Sequence, residues 1–208
     1  MKKFLLASVI VLSAVSQAAM AAGDAAAGKA KATACFACHG ADGNSAAPTF
    51  PKLAGQSETY LSKQIHDIKA SKRSVPAMAG QTDNLSDQDI ADIAAYFAAQ
   101  TTSMNQAKKD LLVKGEQIFR AGIRDRGVPA CTACHAPTGS GNALAGFPRL
   151  GGQHADYVAT QLKAYRAGAD GDPAGRSNDG ETKPMRSVAA HLSDSEIAAL
   201  ANYVSGLH

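Results

Sequence analysis

The chain contains no tryptophan, and all its aromatic residues together make up only 5% of it. A unit of about 90 residues with so little bulky apolar material buries a low fraction of its surface and needs a staple beyond its own side chains. Charge of one sign is also scarce. The formal net charge is +3, and it falls to +1 without Lys2 and Lys3, which is no balance for binding nucleic acid. Long apolar runs are missing as well. The longest, Phe4 to Val15, follows Met1-Lys2-Lys3 and is shorter than the ~20 residues that span a bilayer. With Ala19-Met20-Ala21 as a small-x-small cleavage site, residues 1–21 read as a secretory signal peptide. The mature chain is then exported to the periplasm. Finally, no stretch alternates apolar and polar residues convincingly, so the expected fold class is all-α.

What the chain does have is one pattern written twice: Cys35-Phe36-Ala37-Cys38-His39 and Cys131-Thr132-Ala133-Cys134-His135. C-x-x-C-H is the attachment signature of a c-type haem. Both thiols bond vinyl groups along one haem edge, and the adjacent imidazole points at the iron. The four cysteines of the chain are all used in this way, so none remains for a disulfide. A zinc site would need its C-x-x-C pairs roughly 15–20 residues apart, far closer than these. A thiol–disulfide motif belongs beside a βαβ pattern, which the chain lacks. The expected cofactors are therefore two covalently bound haem c groups, held by Cys35, Cys38, Cys131 and Cys134, with His39 and His135 on the irons.

The repeat extends well past the cysteines. Phe50-Pro51-Lys52-Leu53-Ala54-Gly55-Gln56 matches Phe147-Pro148-Arg149-Leu150-Gly151-Gly152-Gln153; Tyr60 matches Tyr157, Gln64 matches Gln161, and Tyr96 matches Tyr203. Two copies at so long a period mean a duplicated domain, not a solenoid. The expected division is 22–99 and 109–208, joined by a polar linker at 100–108. Each half should hold a first helix (about 25–34 and 109–121), a Gly- and Pro-rich loop, a middle helix, and a last helix. The last helices open with capping boxes at Ser86-x-x-Asp89 and Ser193-x-x-Glu196. The second half is longer, and the polar stretch Gly168 to Lys183 reads as a surface loop.

The remaining axial position decides between carrier and catalyst: methionine closes a haem and raises its potential, whereas an open site admits oxygen or peroxide. Met78 and Met185 each stand seven residues before the leucine of Leu85-Ser86-Asp87 and Leu192-Ser193-Asp194, each with a proline close by. That common register makes them the expected sixth ligands. Met104 has no counterpart in the other half. His66, His154, His191 and His208 have none either, and most of them are expected to be solvated or locally hydrogen-bonded.

A short first helix, C-x-x-C-H, a Phe-Pro-x-Leu loop, a late methionine and a final helix resemble class I cytochrome c domains. Two in tandem behind a signal peptide resemble the di-haem cytochrome c4 family. The resemblance implies two His/Met haems related by a pseudo-twofold, with haem edges facing across the domain interface. It also implies that Pro51 and Pro148 offer their carbonyls to the ring N–H groups of His39 and His135. The function it suggests is electron transfer, not catalysis, with a quinol-oxidising complex and a terminal oxidase as redox partners, at or near the periplasmic face of the membrane. The competing reading is a di-haem enzyme or redox subunit, such as a peroxidase or a sulfur-compound dehydrogenase. An enzyme requires an exchangeable ligand, which the paired methionines argue against.

Overall fold

Four helix starts among the described residues are set by short polar side chains. Asp24 accepts from the Ala26 and Ala27 N–H groups and starts α1, Ala25–Lys31. Ser57 accepts from the Tyr60 N–H and starts α3, Glu58–Lys69, after the four-residue α2, Phe36–His39. Both expected capping boxes form: Ser86 with Asp89 opens α4, Asp87–Ala98, and Ser193 with Glu196 opens the last helix. Each satisfies backbone N–H groups that a helix start otherwise leaves without partners. The computed structural model describes residues 22–208, so the signal-peptide reading of residues 1–21 lies outside the described residues.

The second half repeats the order with α5, Lys109–Ala121; α6, Thr132–His135; α7, Ala155–Ala169; α8, Pro184–Ala189; and α9, Asp194–Ser205. Among the described residues there is no strand, only isolated bridges at Ile123–Val128 and Asn142–Phe147. The first helix of the chain is shorter than expected. It tightens into a 3₁₀ turn at Ala32–Cys35 that leads directly into α2. The methionines lie in different local structure despite their common register: Met78 ends a 3₁₀ turn, Pro76–Met78, and Met185 is the second residue of α8.

In each half the first helix crosses the last at a glycine. A Cβ on Gly28 would lie 1.9 Å from the Asp92 carbonyl oxygen, and one on Gly115 would lie 2.2 Å from that of Ala199. Only a residue without a side chain lets the two backbones approach so closely. Tyr96 and Tyr203 close over these crossings, since their Cβ atoms are the nearest side-chain atoms to both glycines. The core of the first half is built on Ala32, Leu61, Ile93, Ala94, Tyr96 and Phe97, with Cys35 and Phe36 packed against it. The second core is larger. It gains Phe119 and Val128 from α5 and its following loop, and Cys131 packs against it.

Residues 100–108 do not hang free. Thr102 Oγ1 donates to the Ala54 carbonyl at 2.6 Å, and the Ser103 N–H donates to Asn44 Oδ1 at 2.8 Å. At the far end the Asn202 amide brackets Lys108, accepting its N–H at 2.8 Å and donating to its carbonyl at 2.9 Å. The segment is strapped to both halves.

Candidate functional site

Each C-x-x-C-H stretch is wound into a single helical turn that ends at its histidine. His39 and His135 are buried, at 6% and 5% exposure. His39 Nδ1 lies 2.9 Å from the Pro51 carbonyl oxygen, and His135 Nδ1 lies 3.0 Å from that of Pro148. A carbonyl can only accept, so Nδ1 carries the proton in both rings. Burial lowers both imidazole pKa values, outweighing the carbonyl contacts that raise them, and so favours the neutral ring. Nε2 is thereby left as a bare lone pair, the form in which histidine binds metal. Phe50 and Phe147 flank the rings with centroids at 6.3 and 6.1 Å.

All four thiols are free; Cys35 and Cys131 are half-buried, whereas Cys38 and Cys134 are exposed. Burial pushes the Cys35 thiol up, and the Cys131 thiol up to about 11. This is opposite to the lowered pKa of a thiol–disulfide catalyst. Among the described residues no three His, Cys, Asp or Glu side chains converge on one point, so the zinc reading has no donor set. Met78 and Met185 are half-buried.

The two halves meet through polar side chains, among them the glutamines and tyrosines at matching positions of the repeat. Gln153 pairs with the Lys52 backbone, accepting its N–H and donating to its carbonyl, both at 2.9 Å. Gln56 does the same to Arg149, at 2.7 and 3.1 Å. Deeper in the interface, Arg73 donates to Gln64 of its own half and to Tyr157 and Gln161 of the other. Arg176 mirrors it, donating to Gln161 of its own half and to Tyr60 and Gln64 of the other.

Two expectations are corrected here. The 168–183 stretch is not simply a surface loop: Arg176 is 7% exposed and lies 4.4 Å from the Tyr165 ring centroid. Arg176 and Asn178 turn inward because the first half supplies acceptors for them, while Asp170, Asp172, Ser177, Glu181 and Lys183 stay exposed. His154 is not a locally bonded histidine either, since its Nε2 reaches the Ser45 hydroxyl and carbonyl of the other half at 3.0 and 2.9 Å. The usable signal was a glutamine recurring at matching positions in both copies (Gln56 with Gln153, Gln64 with Gln161).

These residues suit a haem. A bare Nε2 and two free thiols stand on one helical turn in each half, and among the described residues the two interface guanidiniums make no ion pair with a carboxylate. Arg73 Nε is buried without a partner. Arg176 is buried, and a cation buried without counter-charge is costly, so a group that carries its own carboxylates would suit it.

Duplicated helical units, each with a cysteine–cysteine–histidine turn behind a glycine helix crossing, define the class as tandem class I c-type cytochrome architecture. The Cytochrome c family model matches twice, at residues 25–100 and 112–208. A cytochrome c4 from Pseudomonas aeruginosa is 58% identical over 204 residues, covering 98% of both chains. The crystal structure of reduced recombinant cytochrome c4 from Pseudomonas stutzeri superposes with a TM-score of 0.86 at 55% identity, covering 90% of this chain and all of that one. A protein from Stutzerimonas stutzeri described as a thiosulfate dehydrogenase electron acceptor is 36% identical, over 85% of this chain and 80% of its own. The chain belongs to the cytochrome c family and, within it, to the di-haem cytochrome c4 proteins. It is thus a haem-binding protein of electron transport.

Proposed function

We propose that the protein is a periplasmic carrier holding two haem c groups, one through Cys35 and Cys38 and the other through Cys131 and Cys134. His39 and Met78 ligate the first iron, and His135 and Met185 the second. When bound, each haem supplies a one-electron ferric–ferrous couple. The chain's own contribution is rigidity. The Nδ1–H of each histidine is fixed on a proline carbonyl, and this orients the ring and raises its basicity as a ligand. With a histidine held on a proline carbonyl and a methionine of the same half as ligands, the iron would change charge with little rearrangement. The observation that carries the reading is the duplicated histidine turn with a bare Nε2, paired with a methionine at one common register in each half.

The proposed donor and acceptor are a quinol-oxidising complex and a terminal oxidase. No helix among the described residues is long and apolar enough to cross a membrane, as a diffusing carrier requires. A second partner reading is favoured by one finding: a relative described as the electron acceptor of thiosulfate dehydrogenase. It keeps the carrier role and changes the donor, and comparing reduction rates with the two donors separates the possibilities. The ligand assignment is tested with Met78→Ala and Met185→Ala. Each should abolish half of the near-infrared methionine-to-iron band and let one reduced haem bind carbon monoxide. A band left at full intensity in either variant rejects that ligand.

A further inference from the structure

The carbonyl that holds each histidine belongs to a peptide unit whose N–H is held by the other half of the molecule. Pro51 C=O and Lys52 N–H are the two ends of one planar peptide group, which is trans because the described residues contain no cis peptide. The oxygen accepts from His39 Nδ1 at 2.9 Å. The N–H donates to Gln153 Oε1, also at 2.9 Å, and the Gln153 amide returns a bond to the Lys52 carbonyl. The mirror arrangement joins His135, the Pro148–Arg149 peptide and Gln56. Both glutamines are buried, at 6% and 7% exposure, so water does not compete for these bonds.

We propose that Gln56 and Gln153 are crossed positioning residues, each tuning the haem of the half to which it does not belong. The inference rests on His39 and His135 being the iron ligands. A peptide whose N–H is engaged has a more negative carbonyl oxygen, because hydrogen bonds in a chain polarise one another. A more negative oxygen draws the Nδ1 proton harder and makes the imidazole a stronger donor to iron, which favours the ferric state. The double amide contact also fixes the tilt of the peptide plane, and with it the rotation of the imidazole. Docking of the two halves is in this way written into both proximal ligands, by a route of covalent and hydrogen bonds only.

The test uses the full-length holoprotein with nitrogen-15 histidine, comparing Gln153→Met and Gln56→Met. Each removes both amide bonds across the interface, together with the glutamine's bond to the N–H of His154 or Ser57 in its own half, at similar side-chain volume. The readouts are the two reduction potentials and the two histidine Nδ1–H resonances. Gln153→Met should raise the potential of the first haem, move the His39 Nδ1–H signal upfield and speed its exchange, leaving His135 as in the wild type. Gln56→Met should do the converse. A response from the haem of the glutamine's own half, equal shifts of both haems in each variant, or no shift in either overturns the proposal. Absence of two iron-bound histidine Nδ1–H signals in the wild type would instead reject the ligand reading.

Discussion

Arg73 and Arg176 occupy corresponding places on the two sides of the interface, and both bind one glutamine of their own half and a glutamine and tyrosine of the other. Arg176 also lies over the Tyr165 ring, and the hydrogen bonding of the two differs at one atom. Arg176 Nε donates to Asn178 two residues further on, at 2.9 Å, whereas the residue two beyond Arg73 is Val75, and Arg73 Nε is buried without a partner. Asn178 also donates to Gln64 and Asp67 of the first half. Duplication therefore made the contact pattern, and the longer second loop then completed one copy of it. A second asymmetry sits beside the histidines. His39 is followed by Gly40 at φ 80°, while His135 is followed by Ala136 at φ 66°, a conformation that suits glycine and strains alanine.

The comparison can be broken hardest at the helix crossings. Gly28→Ala and Gly115→Ala should each cost about 3 kcal/mol or more, because the clash is with backbone that cannot step aside. Gly28→Ala should be the worse of the two, since the facing carbonyl is nearer to it, 1.9 Å against 2.2 Å. Denaturant unfolding of the holoproteins measures both, and a milder loss for Gly28→Ala would contradict the geometry.

The interface arginines come next. Arg176→Met leaves Gln64, Gln161, Tyr60 and Asn178 short of a donor, and should destabilise by about 2 kcal/mol. Arg73→Met has fewer bonds to lose and also removes a buried unsatisfied N–H, so about 1 kcal/mol is expected. Thermal unfolding that ranked the pair the other way would mean Asn178 adds nothing.

Acid should act on both halves through the paired capping-box acids Asp89 and Glu196, and on the first half also through Asp92. In the first, the Asp24 backbone N–H, then Lys31 and Gln88, hold the Asp92 carboxyl at about 2. In the second, burial pushes Glu196 up, but Arg126 and Ser193 outweigh it and hold the carboxyl at about 2. Both folded-state values lie below the ordinary 3.8 and 4.5. The stabilisation is therefore complete above about pH 4.5 and is lost as pH falls towards 2. Melting temperature followed from pH 6 to 2 should drop over that window, and Asp92→Asn should remove only the Asp92 part of the first half's share, leaving that of Asp89, which Lys31 and Ser86 hold well below the usual carboxylate range. The position matching Asp92 in the second half is Ala199, which has no charge to lose.

The smallest effect is a gain. Ala136→Gly should stabilise the second half by about 1 kcal/mol, through relief of the positive φ. Gly40→Ala should cost more than that in the first half, since a Cβ there would also lie 2.8 Å from the Asn44 carbonyl oxygen. Melting curves for the two exchanges check whether the histidine turns are equivalent in all but this residue.

Much of the architecture was legible in advance because its causes are local. A serine three residues before an acid makes a capping box wherever it occurs, and Ser86 and Ser193 did so. Spacing within Cys35–His39 and Cys131–His135 places thiols and imidazole on one helical turn without help from distant residues. Proline carbonyls at the histidines were expected only through resemblance, since residues twelve or thirteen apart carry no spacing rule.

The amino-acid sequence by itself determined the all-α class, the duplication and the helix starts, because periodicity, spacing and caps act within a few residues. Only the tertiary structure decided where the polar side chains of one copy end. Gln153 on Lys52, Gln56 on Arg149 and Arg176 on Gln64 join residues about a hundred positions apart. A polar side chain is buried when partners wait for it and solvated when they do not. For the 168–183 loop those partners lie in the other half, so its composition pointed to the surface while docking turned Arg176 and Asn178 inward.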